Sequence, residues 1–281
     1  MIAIKDLSFQ YKGGKRLALS DINLNIAAGS FVGIIGSSGA GKSTLTRALN
    51  GIIPHYFTGD FYGSVEIEGM DTITSTPAQL SRLVGSVFQD IDGQMVASVV
   101  EDELLFGLEN FAVPRAEIAS RVQEALAMVG ISNLRHRSLA TLSGGQRQKV
   151  AIAAIIALKP RILVLDEPTA ELDPHSSRLI FEMLKQLKRE LGMTIVVVEQ
   201  KIMLLSEYVD RLIVMHNGSI AFAGEVRSVL AHAAELRALG VNIPRIATLA
   251  ENLRDRGLYE GPVPVSLPEA ELMVREVLAR A

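Results

Sequence analysis

The stretch Gly36-Ser37-Ser38-Gly39-Ala40-Gly41-Lys42-Ser43 follows an apolar run at 31–35 and opens a helix-like segment at 43–50. Its glycines permit a tight turn that aims successive backbone N–H groups at one point, and a helix start adds positive potential there. G-x-x-x-x-G-K-[ST] between a strand and a helix is a phosphate cradle. Gly36, Ser37, Ser38, Gly39, Ala40 and Gly41 wrap the anion, and Lys42 reaches its outer oxygens. The hydroxyl of Ser43 serves Mg²⁺, and Thr44 extends the cradle into the helix. A Gly/Ser-rich turn alone would read similarly; the flanking strand and helix decide for the cradle.

Outward from this point the chain alternates. Runs at 31–35, 161–165 and 194–198 are nearly continuous in Val, Ile and Leu, as strands buried on both faces of a parallel sheet are. Residues 22–26, 65–67 and the N-terminal MIAIKDLSFQY alternate like half-exposed strands. Segments at 116–129, 146–158 and 176–191 space their apolar residues by three and four, as Ile118, Val122, Leu126 and Val129 show. Strands alternating with helices predict an α/β fold. Asn217-Gly218 between two apolar runs predicts a hairpin over 211–223. Residues 84–150 read as more helical than their surroundings. After Gly224 three helices are expected, over 226–239, 244–256 and 268–280, two of them opened by Pro244 and Pro268.

Composition narrows the function classes. The 281 residues are 48% hydrophobic and 21% charged, with a mean hydropathy of +0.28. That supplies a substantial core and excludes a disordered chain. The longest apolar stretch, 150–158, falls short of the roughly 18 to 20 residues of a membrane span. Lys+Arg total 28 against 31 Asp+Glu, a net charge of -3 without a basic run, which argues against a nucleic-acid partner. The absence of cysteine excludes disulfides, thiolate metal sites and cysteine catalysis. No basic segment followed by an apolar one marks a signal peptide, so a cytosolic chain is expected.

Two more stretches carry chemistry. Ile162-Leu163-Val164-Leu165-Asp166-Glu167-Pro168 is an apolar strand ending in two carboxylates. The C-terminal edge of a parallel sheet is where ligands bind, so Asp166 is placed to hold Mg²⁺ and Glu167 to polarise water. In Leu142-Ser143-Gly144-Gly145-Gln146, Ser143 is a good helix N-cap, and the following N–H groups can receive an anion. The five histidines, His55, His136, His175, His216 and His232, lack metal-ligand spacing.

The three motifs, in this order, resemble those of ABC-type ATPases over residues 1–224. The resemblance implies a P-loop NTPase with a RecA-like core and mixed sheet, an antiparallel β subdomain and a helical subdomain at about 90–150. It implies ATP and Mg²⁺ as cofactors, with each ATP between the P-loop of one subunit and Ser143, Gly144, Gly145 and Gln146 of another. It further implies that Tyr11 stacks on adenine, that Gln89 links the Mg²⁺ site to the helical subdomain, and that Ala170-Glu171-Leu172-Asp173 crosses the dimer interface. Within the family the chain is most similar to ATP-binding subunits of energy-coupling factor (ECF) importers of vitamins and metal ions. Phe88-Gln89-Asp90-Ile91-Asp92-Gly93-Gln94, Phe106-Gly107-Leu108-Glu109-Asn110 and the tail Gly240-Val241-Asn242-Ile243-Pro244 carry this likeness. It implies that helical residues 225–281 hold two ATPase subunits together. It also implies a transmembrane coupling subunit and a substrate-binding membrane subunit, with the chain on the cytoplasmic face of the membrane. Some of the acidic residues Asp90, Asp92, Glu101, Asp102 and Glu103 are expected to pair with basic residues of the coupling subunit.

One position departs from the family. Where a histidine normally contacts the γ-phosphate, Gln200 follows the strand at 194–198. Its amide donates hydrogen bonds but carries neither charge nor a transferable proton. Lys42, Glu167 and Gln200 are thus the expected catalytic set, and an asymmetric heterodimer is favoured over a homodimer. The rival readings are another ABC importer or a non-transport ABC ATPase of repair or translation. The repair class is disfavoured for want of a long coiled-coil insertion, the translation class for want of a second ATPase unit.

Overall fold

The computed structural model describes residues 1–280. The chain opens with β1 (Ile2–Tyr11), β2 (Leu19–Ile26) and β3 (Phe31–Gly36), then α1 (Lys42–Leu49) and the short α2 (Ile52–His55). β4 (Gly59–Ile67), β5 (Met70–Asp71), α3 (Pro77–Leu80) and β6 (Val84–Val87) follow. A helical stretch comes next: α4 (Ile91–Gln94), α5 (Val100–Asn110), α6 (Arg115–Met128) and α7 (Gly144–Ile156). The chain then alternates through β7 (Ile162–Asp166), α8 (Pro174–Leu191), β8 (Thr194–Val198) and α9 (Ile202–Tyr208), before the hairpin β9 (Arg211–His216) and β10 (Ser219–Glu225). The tail holds α10 (Val226–Leu230), α11 (Ala233–Ala238), α12 (Arg245–Asp255) and α13 (Leu267–Arg280).

Two sheets result. One is antiparallel, in the order β2-β1-β4-β5; the other runs β10-β9-β3-β8-β7-β6 and is parallel except at β10. The continuous apolar runs are explained by their two faces. Ile162, Val164, Val196 and Val198 join the core under the antiparallel sheet and α1. Their neighbours Leu163, Leu165, Ile195 and Val197 join the core under the helices. Since side chains alternate along a strand, a strand covered on both sides has no position for a polar residue. The hairpin forms at Asn217 and Gly218, both at positive φ (47° and 83°), as a tight two-residue turn requires.

The tail corrects one expectation. The helix anticipated over 226–239 is two short helices, α10 and α11. His232 leaves helical backbone (φ -89°, ψ 42°), and its ring packs on Phe222 with centroids 4.9 Å apart. The turn there redirects the chain so that both Leu230 and Leu236 are buried. Among the described residues no helix is long and apolar enough to cross a membrane.

Candidate functional site

The phosphate loop leaves β3 at Gly36 and enters α1 at Lys42. Gly36 pairs with Met215 of β9, and a Cβ there would lie 2.3 Å from the Met215 carbonyl oxygen. Gly41, at φ +99°, would place a Cβ 2.6 Å from the Ala18 carbonyl oxygen. Both positions therefore admit only glycine, and sheet packing on either side fixes the loop. No side chain caps α1, so its first N–H groups and its dipole face the cradle. The Lys42 ammonium folds back onto the carbonyls of Gly36 (2.8 Å) and Ser37 (3.0 Å). Burial lowers its pKa, opposed by the nearby carboxylates of Glu167 and Asp166.

β7 ends at Asp166 beside this loop. Burial raises the Asp166 pKa; the Ser43 hydroxyl opposes the rise and the like charge of Glu167 adds to it. Its Oδ1 is buried without a hydrogen-bond partner. A buried carboxylate oxygen left without a proton donor suits a hard cation, which takes oxygen ligands. The residues present thus fit Mg²⁺, with Asp166 and Ser43 to hold it. Both line a cleft of about 580 Å³ together with Arg47, Phe57, Gln89 and Glu171. Gln89 also borders a smaller cavity shared with Glu167 and Gly144, so it stands between the Mg²⁺ position and the helical region.

Glu167 sits at φ 50°, a left-handed conformation disfavoured for a non-glycine residue and common at functional sites. Its N–H is held by the Val198 carbonyl at 2.9 Å. Gln200 Nε2 donates to both carboxylate oxygens of Glu167, at 2.8 and 2.9 Å. The residue that departs from the family pattern thus clamps the expected base. Tyr11 is close by, but its hydroxyl is bonded to Thr44 Oγ1 (3.1 Å) and receives a hydrogen bond from Arg47 (3.1 Å). Its ring packs edge-on against Phe9 and Phe57.

Ser143 caps α7 through a reciprocal bond with Gln146. Ser143, Gly145 and Gln146 open on a pocket with Lys149 and Leu179, apart from the cleft of Ser43 and Asp166. Ser143, Gly145 and Gln146 therefore do not line the cleft of this chain's own Ser43 and Asp166. The acidic stretch is largely engaged within the chain. Glu103 is buried and accepts hydrogen bonds from the N–H groups of Val96 and Ala97. Glu101 pairs with Arg135 and His136, Asp92 with Arg147, and Asp90 caps α4. Of the five acids from which some were expected to meet a coupling subunit, Glu103 is therefore the one that burial withdraws. No histidine joins a metal-binding cluster among the described residues.

Sequence reasoning missed Arg47, Glu199 and Lys201. Arg47 lies one helical turn beyond Ser43, a spacing that places it on the cleft face. Glu199 and Lys201 flank Gln200 directly after a buried strand, a run of polar residues at the ligand-binding edge of the sheet.

A glycine cradle at the end of the central parallel strand β3, faced by two carboxylates at the end of β7, two places away in the same sheet, defines a P-loop nucleotide-binding fold. The profile of the family described as ABC transporter matches residues 19–170. A Pyrococcus horikoshii protein named as an ABC transporter ATP-binding protein is 39% identical over 263 residues, covering 94% of this chain and 93% of its own length. The energy-coupling factor transporter ATP-binding protein EcfA1 of Lacticaseibacillus paracasei is 38% identical over 258 residues, covering 92% and 91%. Among solved structures, CbiO1 of Clostridium perfringens, part of the ABC transporter complex CbiONQ, matches with a TM-score of 0.77 and 34% identity, over 89% of this chain and 98% of its own. The dimeric cassette MJ0796, in a post-hydrolysis state with ADP and Pi, matches with a TM-score of 0.70 and 30% identity, over 81% and 99%. The chain belongs to the ABC transporter ATP-binding family. It is an ATPase that works on ATP with Mg²⁺.

Proposed function

We propose that the chain is the ATPase subunit of an energy-coupling factor importer, driving uptake of a vitamin or transition-metal ion through separate membrane subunits. One observation carries the reading. The match to EcfA1 spans 258 residues, whereas β10 ends at Glu225, so the likeness extends into the helical tail. The tail's last helix presents Leu267, Leu272 and Leu278 to solvent, each more than half exposed. Leu267, Val274 and Leu278 fall on one helical face. That face is suited to a second subunit, which makes residues 225–281 a dimerisation element after an ATPase unit of 1–224. Near Gln89, the exposed Phe88, Val96 and Phe106, flanked by the exposed Asp92 and Asp102, form a mixed apolar and acidic surface for a membrane-embedded coupling subunit.

The geometry supports an ordered set of tasks. The phosphate-loop N–H groups bind the β- and γ-phosphates, and Lys42 transfers from the Gly36 and Ser37 carbonyls to phosphate oxygens. Tyr11 releases Thr44 and Arg47 to stack on the base. Mg²⁺, when bound, supplies charge neutralisation across the outer phosphates. Glu167 accepts the proton of the attacking water, and Gln200 fixes the rotamer of that carboxylate. Ser143, Gly144, Gly145 and Gln146 complete the site of a second subunit. Because the Gln200 amide is spent on Glu167 and cannot carry charge, a heterodimer with one slower site fits better than a homodimer.

Sedimentation of the purified full-length chain, with and without Mg·ATP, tests the reading. The tail contact predicts association before nucleotide is added, lost in Leu267→Glu/Leu278→Glu. A chain that stays monomeric without nucleotide both alone and mixed with a second ATPase subunit, with the double variant indistinguishable from it, would refute the tail's assigned role.

A further inference from the structure

Three consecutive residues at the end of β8 each hold a different part of the segment after β7. Glu199, itself buried, accepts from Thr169 Oγ1 at 2.7 Å. Gln200 clamps Glu167. Lys201 Nζ donates to the carbonyls of Thr169 (2.5 Å) and Leu172 (2.9 Å) and to Ser177 Oγ (2.9 Å). An ammonium has three N–H donors, and here every one is used on a neutral acceptor. Lys201 makes no ion pair among the described residues.

The acceptors say what the lysine is for. Thr169 and Leu172 bracket the exposed Ala170 and Glu171, and the exposed Asp173 follows. The far end of the loop is fixed by Asp173, which caps α8 through the N–H groups of His175 and Ser176. Its inner carbonyls converge on one cation, so the loop is held from beneath as well as at its end. A neutral side chain at position 201 cannot satisfy three acceptors in this arrangement. Charge-assisted bonds to carbonyls are stronger than neutral ones, and a hub of three resists displacement of any single strand of the loop.

We propose that Lys201 is a positioning residue that locks loop 169–173 to the segment bearing Gln200, so that the loop and the Glu167 carboxylate move as one body. The inference rests on the dimeric reading above only for which site feels the loop. A rigid link of this kind ties the state of this chain's own base to the surface it offers a second subunit.

Hydrogen–deuterium exchange of the full-length chain tests the link directly. In Lys201→Met, amides of 169–173 are expected to exchange faster by on the order of tenfold, while those of β8 stay protected. ATP turnover is expected to fall several-fold with KM for ATP unchanged, because the phosphate loop is untouched; Lys201→Arg should restore part of both. Should Lys201→Met fail to fold, Ser177→Ala removes one acceptor and should give the same changes at smaller size. Unchanged exchange at 169–173 would overturn the lock. Faster exchange with unchanged turnover would overturn the positioning role. A parent chain that associates with no second ATPase subunit would count against the dimeric reading alone, since the exchange result judges Lys201 in the monomer too.

Discussion

Replacing Asp166 with asparagine preserves the shape of the side chain and removes its charge. Oδ1 of Asp166 is buried without a partner, and burial raises the pKa of the group, against the Ser43 hydroxyl and with the like charge of Glu167. The sign of the pH dependence follows. The folded state binds this proton more tightly than the unfolded chain, so stability falls as pH rises from the unfolded carboxylate value, about 4, through the folded one. Above the folded value, without a cation, the penalty is fully present. An unmet buried polar acceptor costs about 1–3 kcal/mol and a charged one more, so replacing the charge by a neutral amide relieves roughly 1–2 kcal/mol. For a chain of this size that raises the melting temperature by about 2–4 °C. Differential scanning fluorimetry in EDTA should therefore show Asp166→Asn melting above the parent, with the gap closing as pH is lowered towards the carboxylate range. Saturating Mg·ATP should reverse the order. A ligand at 100 times its Kd stabilises the parent by about 2.7 kcal/mol, roughly 5 °C here, and the variant gains much less. ATPase activity should fall by on the order of 100-fold or more. An Asp166→Asn chain that melts at or below the parent in EDTA, or gains as much as the parent from Mg·ATP, would refute the assignment of Asp166 as the cation-facing carboxylate.

Gly36→Ala drives a methyl group against the Met215 carbonyl, and isothermal calorimetry should show ATP affinity lowered by roughly tenfold or more as loop and strand separate. Lys42→Met removes a lysine whose charge burial already disfavours, so the variant should stay folded by thermal melt while losing ATP binding in the same titration. Gln200→Ala frees the Glu167 carboxylate; turnover measured by phosphate release should fall about tenfold with KM held. Gln200→His should raise turnover of the chain assayed alone, and full activity in the parent, unchanged by that substitution, would remove the case for an asymmetric pair.

Much of this was legible in the residues. The phosphate loop, the 162–168 strand and the Asn217-Gly218 hairpin are local patterns whose backbone demands leave few alternatives. Ser143 was legible as a helix cap for the same reason. What was hidden depends on pairs distant in the chain. Nothing in the order of letters says that Gln200 lies on Glu167, since β7 and β8 become neighbours only through sheet pairing. Glu103 read as one more surface acid, yet it folds back on the N–H groups of Val96 and Ala97. The break at His232 was invisible to periodicity, and it coincides with an aromatic contact to Phe222 of β10 that the order of residues does not show. The three bonds of Lys201 likewise join elements that only the folded sheet brings together.

The setting of Gly41 bears on how the protein is made. Its close neighbours are the Ala18 carbonyl and Gly218, and the Gly218 N–H bonds the Ala40 carbonyl at 3.1 Å. The phosphate cradle is thus walled by the β9–β10 turn, which leaves the ribosome long after the cradle itself. A nascent chain that has not yet emerged past residue 218 holds the full motif without its mould. Contacts of such long sequence separation are slow to form, so the cradle takes its final shape only after residue 218 has emerged, when the segment carrying Asp166 and Glu167 has already been made.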